Sequence, residues 1–135
     1  MPIDDDPTLR KILHESKTIA VVGASDKPWR DSRNIAEFLL THGYEVLPVN
    51  PKYEKVLNRQ CYPDLRSLPK EVDIVDVFRN PEFIEEIVDE AIEVRAKTIW
   101  LQLGVVNQKA ARMAEDAGLQ VVMDRCILVD HRRLL

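Results

Sequence analysis

Glycine is scarce in this sequence, with one residue each at positions 23, 43, 104 and 118. A dinucleotide turn of the form Gly-x-Gly-x-x-Gly needs three glycines after a strand so that the backbone can approach a pyrophosphate closely. Here the loop after the first strand-like run holds only Gly23, with no glycine near the second and third positions, so a standard NAD site is disfavoured. No GxxxxGK[ST] segment occurs, which excludes a Walker loop. The two cysteines, Cys61 and Cys126, stand 65 positions apart outside any CxxC or Cys/His ligand spacing. They suggest neither a zinc site nor a disulfide framework, and free thiols are expected. No run approaches the ~18 apolar residues of a membrane span. The opening "MPIDDDPTLR" is acidic where a secretory leader is basic and then apolar; a cytoplasmic location without membrane association is expected. The 19 basic and 23 acidic residues are intermingled, for a net charge of −4, and give no broad cationic face for a nucleic acid. The one compact basic group, "HRR" at 131–133, reads as a solvated C-terminal end.

What is present is an alternation of short apolar runs and amphipathic stretches. "DPTLRKILHES" reads as a leading helix within residues 1–16, with Asp6 as N-cap and Pro7 in the first position. "KTIAVVGAS" is nearly continuous in apolar residues, as a strand covered on both faces is. "RNIAEFLLTHG" follows as a helix with Ile35, Phe38 and Leu39 inward and Gly43 as its stop. "YEVLPVNP" is the second strand, and a proline-punctuated loop leads to the third, "VDIVDVFR". "NPEFIEEIVDEAIEVRA" is a helix capped by Asn80, with Ile84, Ile87, Val88 and Ala91 at helical spacing. "KTIWLQLG" is the fourth strand, "NQKAARMAEDAG" the next helix, and "LQVVMDRC" the fifth strand before a short tail. This order predicts a single α/β domain over residues 1–135, a Rossmann-like doubly wound fold. Its five-stranded parallel sheet has the expected order 3-2-1-4-5, with helices on both faces.

In such sheets the ligand lies beyond the carboxyl ends of the strands where the order reverses, which this order places above strands one and four. Four loops meet there: "GASDKPWRDS", "NPKY", "FRNP" and "LGVVN". Three of them begin or approach a helix N-terminus, where free N–H groups and the helix dipole favour a phosphate. Arg30 and Arg33 can add positive charge, and Ser25 and Ser32 hydroxyl donors. After the second strand an NAD enzyme carries an acid for the ribose hydroxyls; this chain has Asn50, Pro51 and Lys52. A lysine there suits a ribose-attached phosphate, the 2′-phosphate of NADP or the 3′-phosphate of coenzyme A, although an ordinary exposed lysine fits the position too. Phe78 fits either a core position or a surface for adenine.

Taken in order, "VVGASDKPWRDS", "GYEVLPVNP", "VDIVDVFRNPE", "WLQLGVVN" and "MDRCILVDHRRL" closely resemble the small stand-alone CoA-binding proteins of bacteria and archaea. These are single domains similar to the CoA-binding N-terminal domain of the succinyl-CoA synthetase alpha subunit, and the resemblance runs from about Lys17 to Leu134. It implies that Gly23, Ala24, Ser25 and the loop after them wrap the CoA pyrophosphate. It implies that Asn50, Pro51 and Lys52 contact the adenosine end, that Phe78, Arg79 and Asn80 line its other side, and that Gln102 and Gly104 face the pantetheine path. The synthetases carry a more glycine-rich first loop than this chain.

No nucleophile, base and orienting group assemble in the sequence, and no metal-ligand cluster is seen. His131 lacks an acidic partner and reads as structural or solvated, and Cys126 as a buried thiol. The function expected is binding of coenzyme A or an acyl-CoA without catalysis. A small NADP-dependent oxidoreductase and an interaction module regulating an acyl-CoA enzyme, with an unknown protein partner, are the alternatives.

Overall fold

The Asp5 carboxylate accepts a hydrogen bond from the Thr8 N–H at 3.0 Å and so starts α1 (Asp6–Glu15). The cap is thus Asp5 rather than the expected Asp6, which joins the first turn, where its negative charge faces the positive end of the helix dipole. The computed structural model describes all of residues 1–135. After α1 come β1 (Thr18–Val22), α2 (Asp31–Thr41) and β2 (Glu45–Val49). The long loop that follows holds a small hairpin, β3 (Lys55–Val56) and β4 (Arg59–Gln60), and a 3-10 turn at Leu65–Ser67. Both central residues of the hairpin turn, Leu57 and Asn58, have positive φ, the twist a two-residue hairpin requires. Then follow β5 (Ile74–Val77), α3 (Ile84–Glu93), β6 (Thr98–Leu101), α4 (Gln108–Asp116), β7 (Gln120–Met123) and α5 (Ile127–Leu134).

The five long strands form one parallel sheet, as expected, in the order β2-β1-β5-β6-β7. In sequence order of these five strands that is 2-1-3-4-5, so the expected 3-2-1-4-5 is corrected: the third strand, β5, lies inside the sheet against β1 instead of outside β2. All four residues of β5 are buried, which suits the sheet centre and not an edge. Outside β2 the chain instead places the segment after the hairpin, where the Tyr62 N–H donates to the Pro48 carbonyl at 2.9 Å, and the Leu65–Ser67 turn then packs against α3, the Leu65 N–H donating to Glu90 at 2.9 Å. The switch point consequently falls between β1 and β5.

Helices cover both faces. On one, α3 and α4 pack over Val22, Val49, Val75, Val77, Ile99 and Leu101. On the other, α1, α2 and α5 pack over Ile19, Val21, Val46, Ile74 and Trp100. The leading segment is part of this second layer, and the Ile3 N–H donates to the Val121 carbonyl at 2.7 Å.

Two further expectations are corrected. Residues 81–83 form a 3-10 turn ahead of α3, and the Asn80 side chain makes no capping bond. The supposed tail is the helix α5, in which Ile127, Asp130, His131 and Leu134 are buried. That i, i+3, i+4, i+7 spacing is the signature of an inward helix face, hidden in the sequence because two of the four residues are ionisable.

Candidate functional site

The close approach of two loops defines the site. Gly23 ends β1 at φ +87°, and its N–H donates to the Val49 carbonyl at 2.9 Å. A Cβ on Gly23 would lie 2.9 Å from the Phe78 carbonyl oxygen and 3.3 Å from Cδ of Arg79. The loops after β1 and β5 can therefore touch only through a glycine. Neighbouring places of β1 and β5 create this contact, and the Phe78 N–H extends their pairing by donating to the Val22 carbonyl at 2.9 Å.

Above Gly23 opens a cleft of about 430 Å³, lined by Gly23, Ser25, Arg30, Ser32, Asn50, Lys52, Phe78 and Arg79. Eight of the residues singled out in the sequence thus converge. Lys27, Trp29, Asp31 and Tyr53 complete the lining and were not anticipated individually. The first three belong to the loop already quoted, and Tyr53 stands three positions beyond Asn50. Against the molecule's net charge of −4, the cleft sets Lys27, Arg30, Lys52 and Arg79 beside a single carboxylate, Asp31. The N-terminus of α2 reaches the same place, with no side chain capping it.

Several polar groups shape the loops. The Asn50 amide donates to the Ala24 carbonyl at 2.8 Å and its Oδ1 accepts from the Lys52 N–H at 2.9 Å, so Asn50 ties the second loop to the first. Ser25 Oγ accepts from the Lys27 N–H at 3.1 Å and lies 3.3 Å from the Tyr53 hydroxyl. Asp26 Oδ1 accepts from the Leu57 N–H at 2.9 Å, fastening the hairpin to the same loop.

Two smaller spaces adjoin the cleft. Toward β6 a groove of about 270 Å³ is lined by Phe78, Arg79, Asn80, Gln102, Leu103 and Gly104 among others. There Gln102 Oε1 accepts from the Ile127 N–H at 3.2 Å, and the Gly104 N–H donates to Asp124 at 2.7 Å. Toward α3 a slot of about 150 Å³ is bounded by Pro51, Leu65, Phe83, Asp64, Glu86 and Glu90 among others. Arg79 borders all three spaces and lies 4.3 Å from the centroid of the Phe83 ring. Of the other six singled-out residues, Pro51 borders the slot and Asn80, Gln102 and Gly104 the groove, while two line none of these spaces. Ala24 is fully buried, and Arg33 turns along α2 toward Glu37, with Nη1 3.4 Å from its carboxylate.

Away from the cleft, α5 carries two buried ionisable groups, Asp130 and His131. Asp130, buried between Arg125 at 2.7 Å and Arg133 at 3.2 Å, is pushed up by burial, but these bonds outweigh it and hold the carboxyl below its usual range. His131 is edge-on to Phe38, His42 and Tyr44, with ring centroids 5.3, 5.0 and 5.7 Å away; burial first, and His42 second, lower its pKa. Of the two readings, structural or solvated, His131 takes the structural one, so the basic C-terminal end is not solvated throughout. The thiols of Cys61, buried, and Cys126, half-buried, are both free. No helix is long and apolar enough to cross a membrane.

Fold and cleft together define a Rossmann-like α/β domain with a crevice lined by basic side chains at the carboxyl ends of its strands. A family model described as a CoA binding domain matches residues 17–132, and the chain belongs to that family. It is 39% identical over 123 residues to the uncharacterized protein YneT of Bacillus subtilis (strain 168), covering 91% of each chain. It is 32% identical over 111 residues to the acetate–CoA ligase [ADP-forming] II of Archaeoglobus fulgidus, a match covering 81% of this chain but 16% of the ligase. A hypothetical protein from Pyrococcus horikoshii OT3 has the same fold with a TM-score of 0.95, at 45% identity over 99% of this chain and 96% of the other.

Proposed function

We propose that residues 1–135 act as one domain that binds coenzyme A or an acyl-CoA in this crevice, without catalysis of its own. The observation that carries the reading is the cationic cleft over Gly23: four basic side chains and an uncapped helix end face a backbone that approaches closely only because residue 23 has no Cβ. Such a place suits a pyrophosphate, with Lys52 at the ribose-proximal end for the 3′-phosphate. The groove by Gln102 and Gly104 then carries the pantetheine arm toward solvent. Family membership supports the same ligand. The ligase named above acts on acetate and CoA by its title; this chain corresponds to a small part of it, consistent with binding rather than turnover.

Thermal melts test the proposal. At ~100 times its dissociation constant, coenzyme A adds about 2.7 kcal/mol to stability by mass action, and the melting temperature rises accordingly, while NAD leaves it unchanged. A larger shift with NADP than with coenzyme A would favour the oxidoreductase reading instead, and turnover of an acyl-CoA by the purified chain would refute the non-catalytic one.

A further inference from the structure

We propose that Trp29 is the surface on which the adenine base of the ligand stacks, an inference that rests on coenzyme A being that ligand. The chain has two tryptophans. Trp100 is fully buried, its indole N–H donating to the Arg125 carbonyl at 2.9 Å, whereas Trp29 is 71% exposed. A large aromatic surface left in water gains free energy on being covered.

Nor is Trp29 on a loose loop. The Arg30 N–H donates to the Lys27 carbonyl at 3.0 Å, the Asn34 amide to the Pro28 carbonyl at 3.3 Å, and the Lys27 N–H to Ser25. The ring is thus presented on a fixed turn at the wall of the cleft, with Lys27 Nζ 5.7 Å from its centroid. A flat π surface among Lys27, Arg30, Lys52 and Arg79 matches a ligand that joins an aromatic base to phosphates. Trp29 lines the large cleft but not the groove by Gln102 and Gly104, so it serves the adenosine end and not the pantetheine arm. The slot toward α3, with Asp64, Glu86 and Glu90 on its walls, is the competing place for the base.

The experiment is a titration of wild-type protein with coenzyme A, 3′,5′-ADP and pantetheine, read by tryptophan emission and by calorimetry. Coenzyme A and 3′,5′-ADP quench emission and pantetheine does not. Trp29→Ala, at an exposed position that leaves the fold intact, abolishes the quenching while Trp100 still emits, and weakens both nucleotides roughly tenfold. Trp29→Phe keeps most of the affinity. Calorimetric binding of coenzyme A with unchanged emission, unchanged affinity in Trp29→Ala, or quenching by pantetheine alone would overturn the stacking while leaving CoA binding in place. Absence of any binding by the wild type would overturn both.

Discussion

At the residue scale Gly23 and Lys52 make the most specific demands. Alanine at 23 must adopt a φ of +87° and also push the Phe78 carbonyl away, so Gly23→Ala costs roughly 1–3 kcal/mol of stability and most of the ligand affinity. Gly43 is the control: its φ is +91°, yet nothing lies within 4 Å of an added Cβ. Gly43→Ala thus pays the conformational cost alone and binds normally, a contrast that melting curves and calorimetry read together. For Lys52, removal of the ammonium in Lys52→Ala weakens coenzyme A about tenfold and leaves dephospho-CoA unaffected. Equal losses for both ligands would place Lys52 on the pyrophosphate instead of the 3′-phosphate.

At the scale of the elements, β5 and α5 hold ionisable groups where apolar ones would pack. Asp76 on β5, paired with Val21 and Trp100 on its neighbours, is completely buried, and neither carboxylate oxygen has a hydrogen-bond partner in the protein. Burial pushes its pKa well above the ordinary carboxylate value. A raised folded pKa means a contribution that is fully present below the unfolded pKa and lost as pH rises through the folded one. Asp76→Val therefore raises the melting temperature at neutral pH, by about 4 °C for each kcal/mol gained, and the gain shrinks in acid. In α5 the sign is opposite. The His131 pKa is lowered, so the unfolded chain takes up a proton first and stability falls as pH drops below about 6.5, by at most about 1.4 kcal/mol per pH unit. Asp130 and Asp73, both held below their usual range in the fold, add acid sensitivity at lower pH. His131→Phe removes the upper part of this loss while sparing the lower, as urea titrations at a series of pH values show.

On the scale of the molecule, the parallel α/β architecture was legible because each strand is a short apolar run and each main helix has a clear inward face. The strand order was not. The segment from Asn50 to Asp73 carries no helical periodicity, and whether β5 falls outside β2 or beside β1 depends on how that segment crosses the sheet. The difference matters for function, since only the observed order places Phe78 and Arg79 against Gly23. The cleft was legible in part: Gly23, Arg30, Asn50 and Lys52 follow from loop position and residue chemistry. Trp29 and Tyr53 gave no signal beyond sequence proximity, and the diversion of Arg33 toward Glu37 is a matter of side-chain packing along α2. Asp76 is the lone acid within "IVDV", and nothing in that run told what surrounds its carboxylate.

The central claim is that one crevice, at the carboxyl ends of β1, β2, β5 and β6, binds coenzyme A. It is tested most directly by amide chemical-shift mapping, for which a 15.6 kDa chain is well suited. Titration with coenzyme A should shift the amides of residues 23–33, 50–53, 78–80 and 102–105 and saturate at one ligand per chain, leaving α1, α5 and the amino ends of the strands unmoved. Unchanged spectra at excess coenzyme A, or shifts centred on another face of the sheet, would contradict the account.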